Sequence, residues 1–411
     1  MVFEVRGPEG SGTGPTLTPR IPQRHVTGPE EEGTTPKTPC QTRSTEEEAV
    51  PAVRANHLYK VFGKRAPQAV ELLSDGRHRD EIKELNVTAA VIDVSFEVQP
   101  GEIFVVMGLS GSGKSTLIRM LNGLLPPTSG TVEIDGTDIT ALSRRALRAL
   151  RGEKISMVFQ HFALFPHRTV LENAAYGLEV RGVPRAQRHE RAAHALDLVG
   201  LGDWKSHLPQ QLSGGMQQRV GLARALSADT DIILMDEAFS ALDPLIRRDM
   251  QTQLIQLQAE LGKTIVFITH DLNEAMRLGD RICVLRDGRV IQIGTPEEIL
   301  NHPADDYVAR FTEDVDRSRV LTAASVMEPA PKADSADWDD WERVEPDAPV
   351  AELFQRAAAC DNPLAVVDEE DRVIGAVSPS TILSALAMPE EQENGVVPAP
   401  VRGERREEVR Q

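Results

Sequence analysis

The sequence predicts an α/β fold: an open, largely parallel sheet flanked by helices, followed by a smaller α/β module. Three observations carry this. The apolar run Ile103 to Met107 leads into GLSGSGKST, Gly108 to Thr116, after which Leu117, Ile118 and Leu121 recur at helical spacing; this is a strand, a glycine-rich turn and a helix. The runs Ile232 to Met235 and Thr264 to Thr269 are continuous rather than alternating, as strands covered on both faces of a parallel sheet are. Toward the other end, NPLAVVDEEDRVIGAVSPSTIL reads as strand, turn, strand and helix.

The 411 residues suit two or three domains. Cys40, Cys283 and Cys360 lie far apart, without disulfide or metal-ligand spacing, so a reducing cytosol is expected. No apolar run approaches the length that spans a bilayer, and Met1 to Glu9 does not resemble a signal peptide; a soluble chain is expected. The net charge of −18 is unevenly placed, since residues 313–411 hold 23 acids against 10 bases while residues 54–312 are near neutral. There is no basic nucleic-acid footprint, and the acidic end argues against direct attraction to anionic lipid. Residues 1–52, rich in Gly, Pro, Thr and Glu, and residues 390–411 are expected to be disordered tails.

Residues 54–63 read as an edge strand ending in Phe62, whose flat ring could stack on a base; Tyr59 is the weaker candidate. A partly helical insert at 64–90 precedes a strand at Val91 to Val98. In the glycine-rich turn, Gly108, Gly111 and Gly113 let backbone N–H groups point inward at phosphate oxygens. Leu109, Ser110, Ser112 and Thr116 complete the cradle. Lys114 reaches the β- and γ-phosphates and the Ser115 hydroxyl stands where a Mg²⁺ ligand is needed.

Strands follow at Thr131 to Ile134 and Ile155 to Phe159, the second leading to Gln160, and residues 161 to about 210 turn helical. Ser213, Gly214 and Gly215 stand directly before a strong helix-forming run and make a second anion-binding helix end. DIILMDE brings Asp236 out at a strand end, placed to hold Mg²⁺ directly or through water, with Glu237 next to polarise a water. SALDP, Ser240 to Pro244, caps the following helix. The strand Thr264 to Thr269 ends at His270, a candidate γ-phosphate contact.

Taken together, GLSGSGKST, Gln160, LSGGMQQR, ILMDE, SALD and His270 resemble, in order and spacing, the ATP-binding cassette (ABC) ATPases over residues 54 to about 312. LSGG is the specific part. The resemblance implies a P-loop NTPase of ABC type, at residues 53–312, with a RecA-like core and a helical subdomain at about 161–220. It implies ATP and Mg²⁺ as cofactors, the metal held by Ser115, Gln160 and Asp236. It further implies a head-to-tail homodimer in which Ser213 to Gly215 of one subunit close over ATP held by Lys114 of the other. Glu237 would be the base, His270 the γ-phosphate contact, and Asp243 a residue communicating across the dimer.

HFALFPHRTVLENAAYGL resembles the importer type, whose helical subdomain grips a membrane permease. The insert at 64–90, MDEAFSALDPLIR and THDLNEAMRLGDRI resemble the glycine betaine/proline (quaternary amine) uptake transporters. Permease subunits, an extracytoplasmic substrate-binding protein and a peripheral place on the cytoplasmic face of the membrane are therefore expected. The alternatives are an importer ATPase for another solute, such as an amino acid or polyamine, and a non-transport cassette ATPase.

Val350, Leu353, Phe354 and Ala357 at helical spacing open a segment within residues 313–389 that resembles one cystathionine-β-synthase (CBS)-type regulatory module. Its relatives usually carry two in tandem; a lone copy would pair with its counterpart across the dimer. Such modules often hold a ribose with an aspartate, and here that position is Thr381.

Overall fold

The computed structural model describes residues 50–160, 162–330, 338, 341–360, 362–368 and 370–387. The chain divides into two compact units, residues 1–48 and 49–411, and all described residues belong to the second. The tails expected at 1–52 and 390–411 lie outside the described residues, save residues 50–52, of which Ala52 is buried in the core.

Strand β1 (Val53–Phe62) pairs antiparallel with β2 (Thr88–Val98), β3 (Ile103–Met107) opens the parallel sheet, and β4 (Ser129–Ile134) and the short β5 (Thr137–Asp138) return to the first sheet. The order β2-β1-β4-β5 puts β1 inside this sheet rather than at the edge expected from sequence. Its second partner, β4, arrives only after the glycine-rich turn and its helix. A pairing between segments that far apart has no local sequence signal.

The parallel sheet continues with β6 (Ile155–Val158), β7 (Ile232–Asp236), β8 (Thr264–Thr269) and β9 (Arg281–Arg286), and β10 (Arg289–Gly294) adds an antiparallel edge, giving the order β10-β9-β3-β8-β7-β6. β3 is buried along its whole length. One face carries the helix Lys114–Leu121 and the antiparallel sheet, with Phe96 stacked on Phe104 at 4.9 Å. Burying a Phe104-sized side chain contributes about 1.5–3 kcal/mol. The strand order matters for function. β3, β8, β7 and β6 are consecutive neighbours, so the residues that follow them emerge along one sheet edge, where open α/β sheets bind ligands.

The helical segment comprises Val170–Ala174, Tyr176–Val180 and Arg185–Leu198 and is followed by Gly214–Ser227. Thr169 and Glu172 form a reciprocal capping box at its start. The buried Asn173 side chain accepts from the Phe165 N–H and donates to the Phe165, Arg168 and Thr169 carbonyls, which pins the preceding loop. Within the insert, the helix Ala66–Ser74 packs Ala69 and Leu73 against Val61 and Ile92 in a small core of its own.

In the C-terminal part, β11 (Glu328–Pro329), β12 (Arg343–Val344), β13 (Leu364–Val367) and β14 (Val373–Val377) form a sheet of order β11-β14-β13-β12. Helices Val350–Ala359 and Pro379–Leu386 close its core around Leu353, Val366, Val377 and Ile382. Phe354, expected on the buried face, is exposed instead; Val350, Leu353 and Ala357 already fill that face. Arg317 ties this module to the preceding domain, bonding the Leu300 carbonyl at 3.2 Å and Asn301 Oδ1 at 2.6 Å.

Candidate active site

The glycine-rich turn leaves β3 with two glycines that geometry requires. Gly108 and Gly113 have φ of 152° and 105°, and a Cβ would collide with the Leu285 carbonyl oxygen at the first and with that of Ala90 at the second. The turn is thus wedged against neighbouring backbone, and its helix Lys114–Leu121 starts at once.

Lys114 is buried, with its ammonium folded onto the Gly108 and Leu109 carbonyls at 2.7 and 3.1 Å. Burial pulls its pKa down, while Glu237 and Asp236 oppose the shift. The Ser112 hydroxyl is buried and has no hydrogen-bond partner among the described residues, an orphan that an incoming oxygen would satisfy. Leu109, Ser110 and Gly111 form the exposed rim, and Thr116 is half-buried behind it. A buried cation and an unsatisfied hydroxyl within one cradle of backbone amides fit a polyphosphate.

Opposite the cradle, Ser115 Oγ donates to Asp236 Oδ1 at 3.4 Å. Burial raises the Asp236 pKa, and the neighbouring Glu237 adds to it. A carboxylate held at such a cost beside a hydroxyl suits a divalent cation. Glu237 has φ 45° and its N–H is held by the Ile268 carbonyl at 3.0 Å, which turns its side chain from β7 toward the end of β8. There its Oε2 lies 3.3 Å from His270 Nδ1. Gln160 Nε2 donates to the same oxygen at 3.0 Å and to Ser240 Oγ at 3.3 Å. With Nε2 so committed, the Gln160 carbonyl oxygen is the atom left for a cation. The structure therefore brings together Lys114, Ser115, Gln160, Asp236, Glu237 and His270.

Other predicted residues sit apart. Ser213 caps the helix Gly214–Ser227, accepting from the Met216 N–H at 3.3 Å. Gly215 is packed so closely on Ile246 that a Cβ would collide with it. Among the described residues, no hydrogen bond joins Ser213, Gly214 or Gly215 to the phosphate cradle. Asp243 is exposed and caps the helix Pro244–Leu261 through the Ile246 N–H at 3.2 Å. Phe62 is exposed at the end of β1, with Lys60 Nζ 5.3 Å from its ring. Tyr59 is buried in the insert's core, which raises its phenol pKa; of the two aromatics, Phe62 alone has a free face.

Two residues near the site carry no signal in the sequence reading. Arg247 Nη1 pairs with Asp271 Oδ2 at 3.2 Å, and its Nη2 donates to the Leu242 and Ser240 carbonyls at 3.0 and 3.4 Å. The guanidinium thereby fastens the Ser240–Asp243 turn to the residue after His270. Arg247 lies within MDEAFSALDPLIR and Asp271 adjoins His270, so position alone could have pointed to them.

Residues 91–240 match the ABC transporter family model. The "Glycine betaine transport ATP-binding protein OpuAA" of Bacillus subtilis (strain 168) is 58% identical over 279 residues, which is 68% of this chain and 67% of the relative. The "Trimethylamine N-oxide transport system ATP-binding protein TmoW" of Ruegeria pomeroyi is 46% identical over 336 residues, 82% of this chain and 97% of the relative. Among solved structures, the "Dimeric Structure of MJ0796, a Bacterial ABC Transporter Cassette" is similar, with TM-score 0.50 and 34% identity over 59% of this chain and 98% of that one. The residues matched by the family model include the cradle and the acidic strand end described above. The chain belongs to the ABC transporter family, as an ATP-binding and ATP-hydrolysing transporter subunit.

Proposed function

We propose that this subunit powers uptake of quaternary amines and related methylamines, of the glycine betaine, proline betaine and trimethylamine N-oxide kind. Relatives named for these solutes support the solute class. The observation that carries the chemistry is the meeting of Gln160, Glu237 and His270 on one carboxylate oxygen beside Lys114.

In this reading Lys114 and the amides of Gly108 to Thr116 hold the ATP phosphates, and Phe62 offers its free face to adenine. Ser115, Asp236 and the Gln160 carbonyl oxygen would hold Mg²⁺, which supplies charge neutralisation at the β- and γ-phosphates. Glu237 accepts a proton from the attacking water, held in aim by Gln160, and His270 contacts the γ-phosphate. Among the described residues the Ser213 and Asp243 side chains bond only the N–H three residues on, so Ser213 to Gly215 and Asp243 are free to serve a second copy's nucleotide. Two subunits closing head to tail complete both sites, and hydrolysis reopens them.

No helix among the described residues is long and apolar enough to cross a membrane. Permease subunits and an external binding protein would therefore supply the route and the selectivity, with this subunit peripheral at the cytoplasmic face. A single CBS-type module at 313–389, paired across the dimer, would regulate the assembly. The test is uptake of labelled glycine betaine into liposomes holding this subunit, its permease and lumenal ATP, with Glu237→Gln as control. ATP-dependent uptake is expected; ATP turnover without uptake of glycine betaine, proline betaine or trimethylamine N-oxide would refute the solute class.

A further inference from the structure

The C-terminal module carries a cleft of about 240 Å³ at the start of helix Pro379–Leu386. Trp338 and Trp341 meet there at 4.6 Å with their rings inclined by 70°, so the two indoles form a corner. Pro363 adds an apolar surface, and Glu328, Ser378 and Thr381 supply the polar groups. Among the described residues that line it there is no Lys or Arg. The Glu328 carboxylate has one hydrogen-bond partner among the described residues, the Thr381 hydroxyl at 3.4 Å, and no ion pair. Ser378 and Thr381 share a hydroxyl contact of 2.7 Å, which occupies the position where the CBS resemblance would place a ribose-binding acid.

This chemistry disfavours an anion. Among the described lining residues a nucleotide phosphate would meet a carboxylate and no cation, in a segment where residues 313–411 carry 23 acids against 10 bases. Two π-faces at an angle beside one unpaired carboxylate are complementary to a bulky, weakly hydrated cation, as in aromatic cages for quaternary ammonium groups. We propose that this cleft binds a small quaternary ammonium compound by its trimethylammonium head, against Trp338 and Trp341 with Glu328 as counter-charge. The cleft's own side chains select this ligand, whatever solute the transporter carries. The helix that bears Thr381 is also tied to the ATPase domain: Arg317 Nε donates to the Ala385 carbonyl at 3.3 Å, while its other nitrogens hold Leu300 and Asn301. Occupancy thus bears on an element already fastened to the ATPase.

Titration calorimetry of the full chain tests this without any permease, using choline, its neutral isostere 3,3-dimethylbutan-1-ol, and AMP. Choline is expected to bind about tenfold or more tighter than the isostere. Trp341→Ala should weaken choline about tenfold and Trp341→Phe less, while Glu328→Gln should narrow the preference over the isostere. Circular dichroism of Trp341→Phe and Glu328→Gln, both close in shape, guards against misfolding. Absence of choline binding, equal affinity for choline and isostere, indifference to Trp341→Ala, or displacement of choline by AMP would each overturn the proposal.

Discussion

His270 Nδ1 stands 3.3 Å from Glu237 Oε2, joining the ends of two neighbouring parallel strands across one carboxylate. The same oxygen takes the Gln160 amide at 3.0 Å, so three strand ends are registered by a single atom. The backbone enforces this: φ of 45° at Glu237, a left-handed value for a non-glycine residue, is what directs its side chain toward β8.

Glu237→Gln removes the proton acceptor and keeps the shape. ATP hydrolysis should fall by about 10²–10⁴-fold, while ATP binding and ATP-induced dimerisation persist. Steady-state turnover, nucleotide titration and size-exclusion chromatography measure the three. Turnover at the wild-type rate would remove Glu237 from the role of base.

Arg247 bonds Asp271, Leu242 and Ser240 at once. Arg247→Met should cost about 2 kcal/mol of stability, the scale of a lost charged hydrogen-bond set. It should also lower kcat with little change in KM, because the turn it fastens lies beside Glu237 and not on the phosphate cradle. Arg247→Lys should rescue poorly, since an ammonium cannot reproduce the fork that spans two elements. A KM effect without a kcat effect would contradict this.

Glu274 is buried and accepts from the Thr269 hydroxyl and the Gln251 amide. Burial raises its carboxyl pKa, outweighing those two bonds. The folded chain therefore keeps this proton to higher pH than the unfolded chain, so the group's contribution to stability declines as pH rises from the unfolded value through the raised folded one. Glu274→Gln should remove that decline, and its melting temperature should gain on the wild type as pH rises from about 4 to about 7. Asp236 and Glu102, whose pKa values burial also raises, leave some slope in both. A difference in melting temperature constant with pH would exclude the effect.

The cradle and the acidic strand end were legible in the sequence because their signals are local. GLSGSGKST needs Gly108 and Gly113 where neighbouring backbone leaves no room for a Cβ, and ILMDE ends where the apolar run ends. The helix starts at Ser213 and within SALDP were likewise readable, since a cap bonds an N–H three residues on. The placement of β1 inside its sheet was not, and neither was the meeting of Trp338 and Trp341 with Glu328 and Thr381 in one cleft. Each depends on segments that meet only after the chain has folded.

The sequence by itself determined which chemistry this protein carries: a phosphate-binding turn, a carboxylate pair, a histidine and a second glycine-rich helix end, in the order of an ABC ATPase. Tertiary structure alone decided which of these meet. The strand order β3-β8-β7-β6 gathers Lys114, His270, Glu237 and Gln160 on one edge and leaves Ser213 to Gly215 among the helices, outside the cradle's hydrogen bonds. The reason is physical. Side-chain chemistry and turn geometry are fixed within a few residues, whereas strand order is set by burial summed over the whole sheet, to which no single segment holds the key.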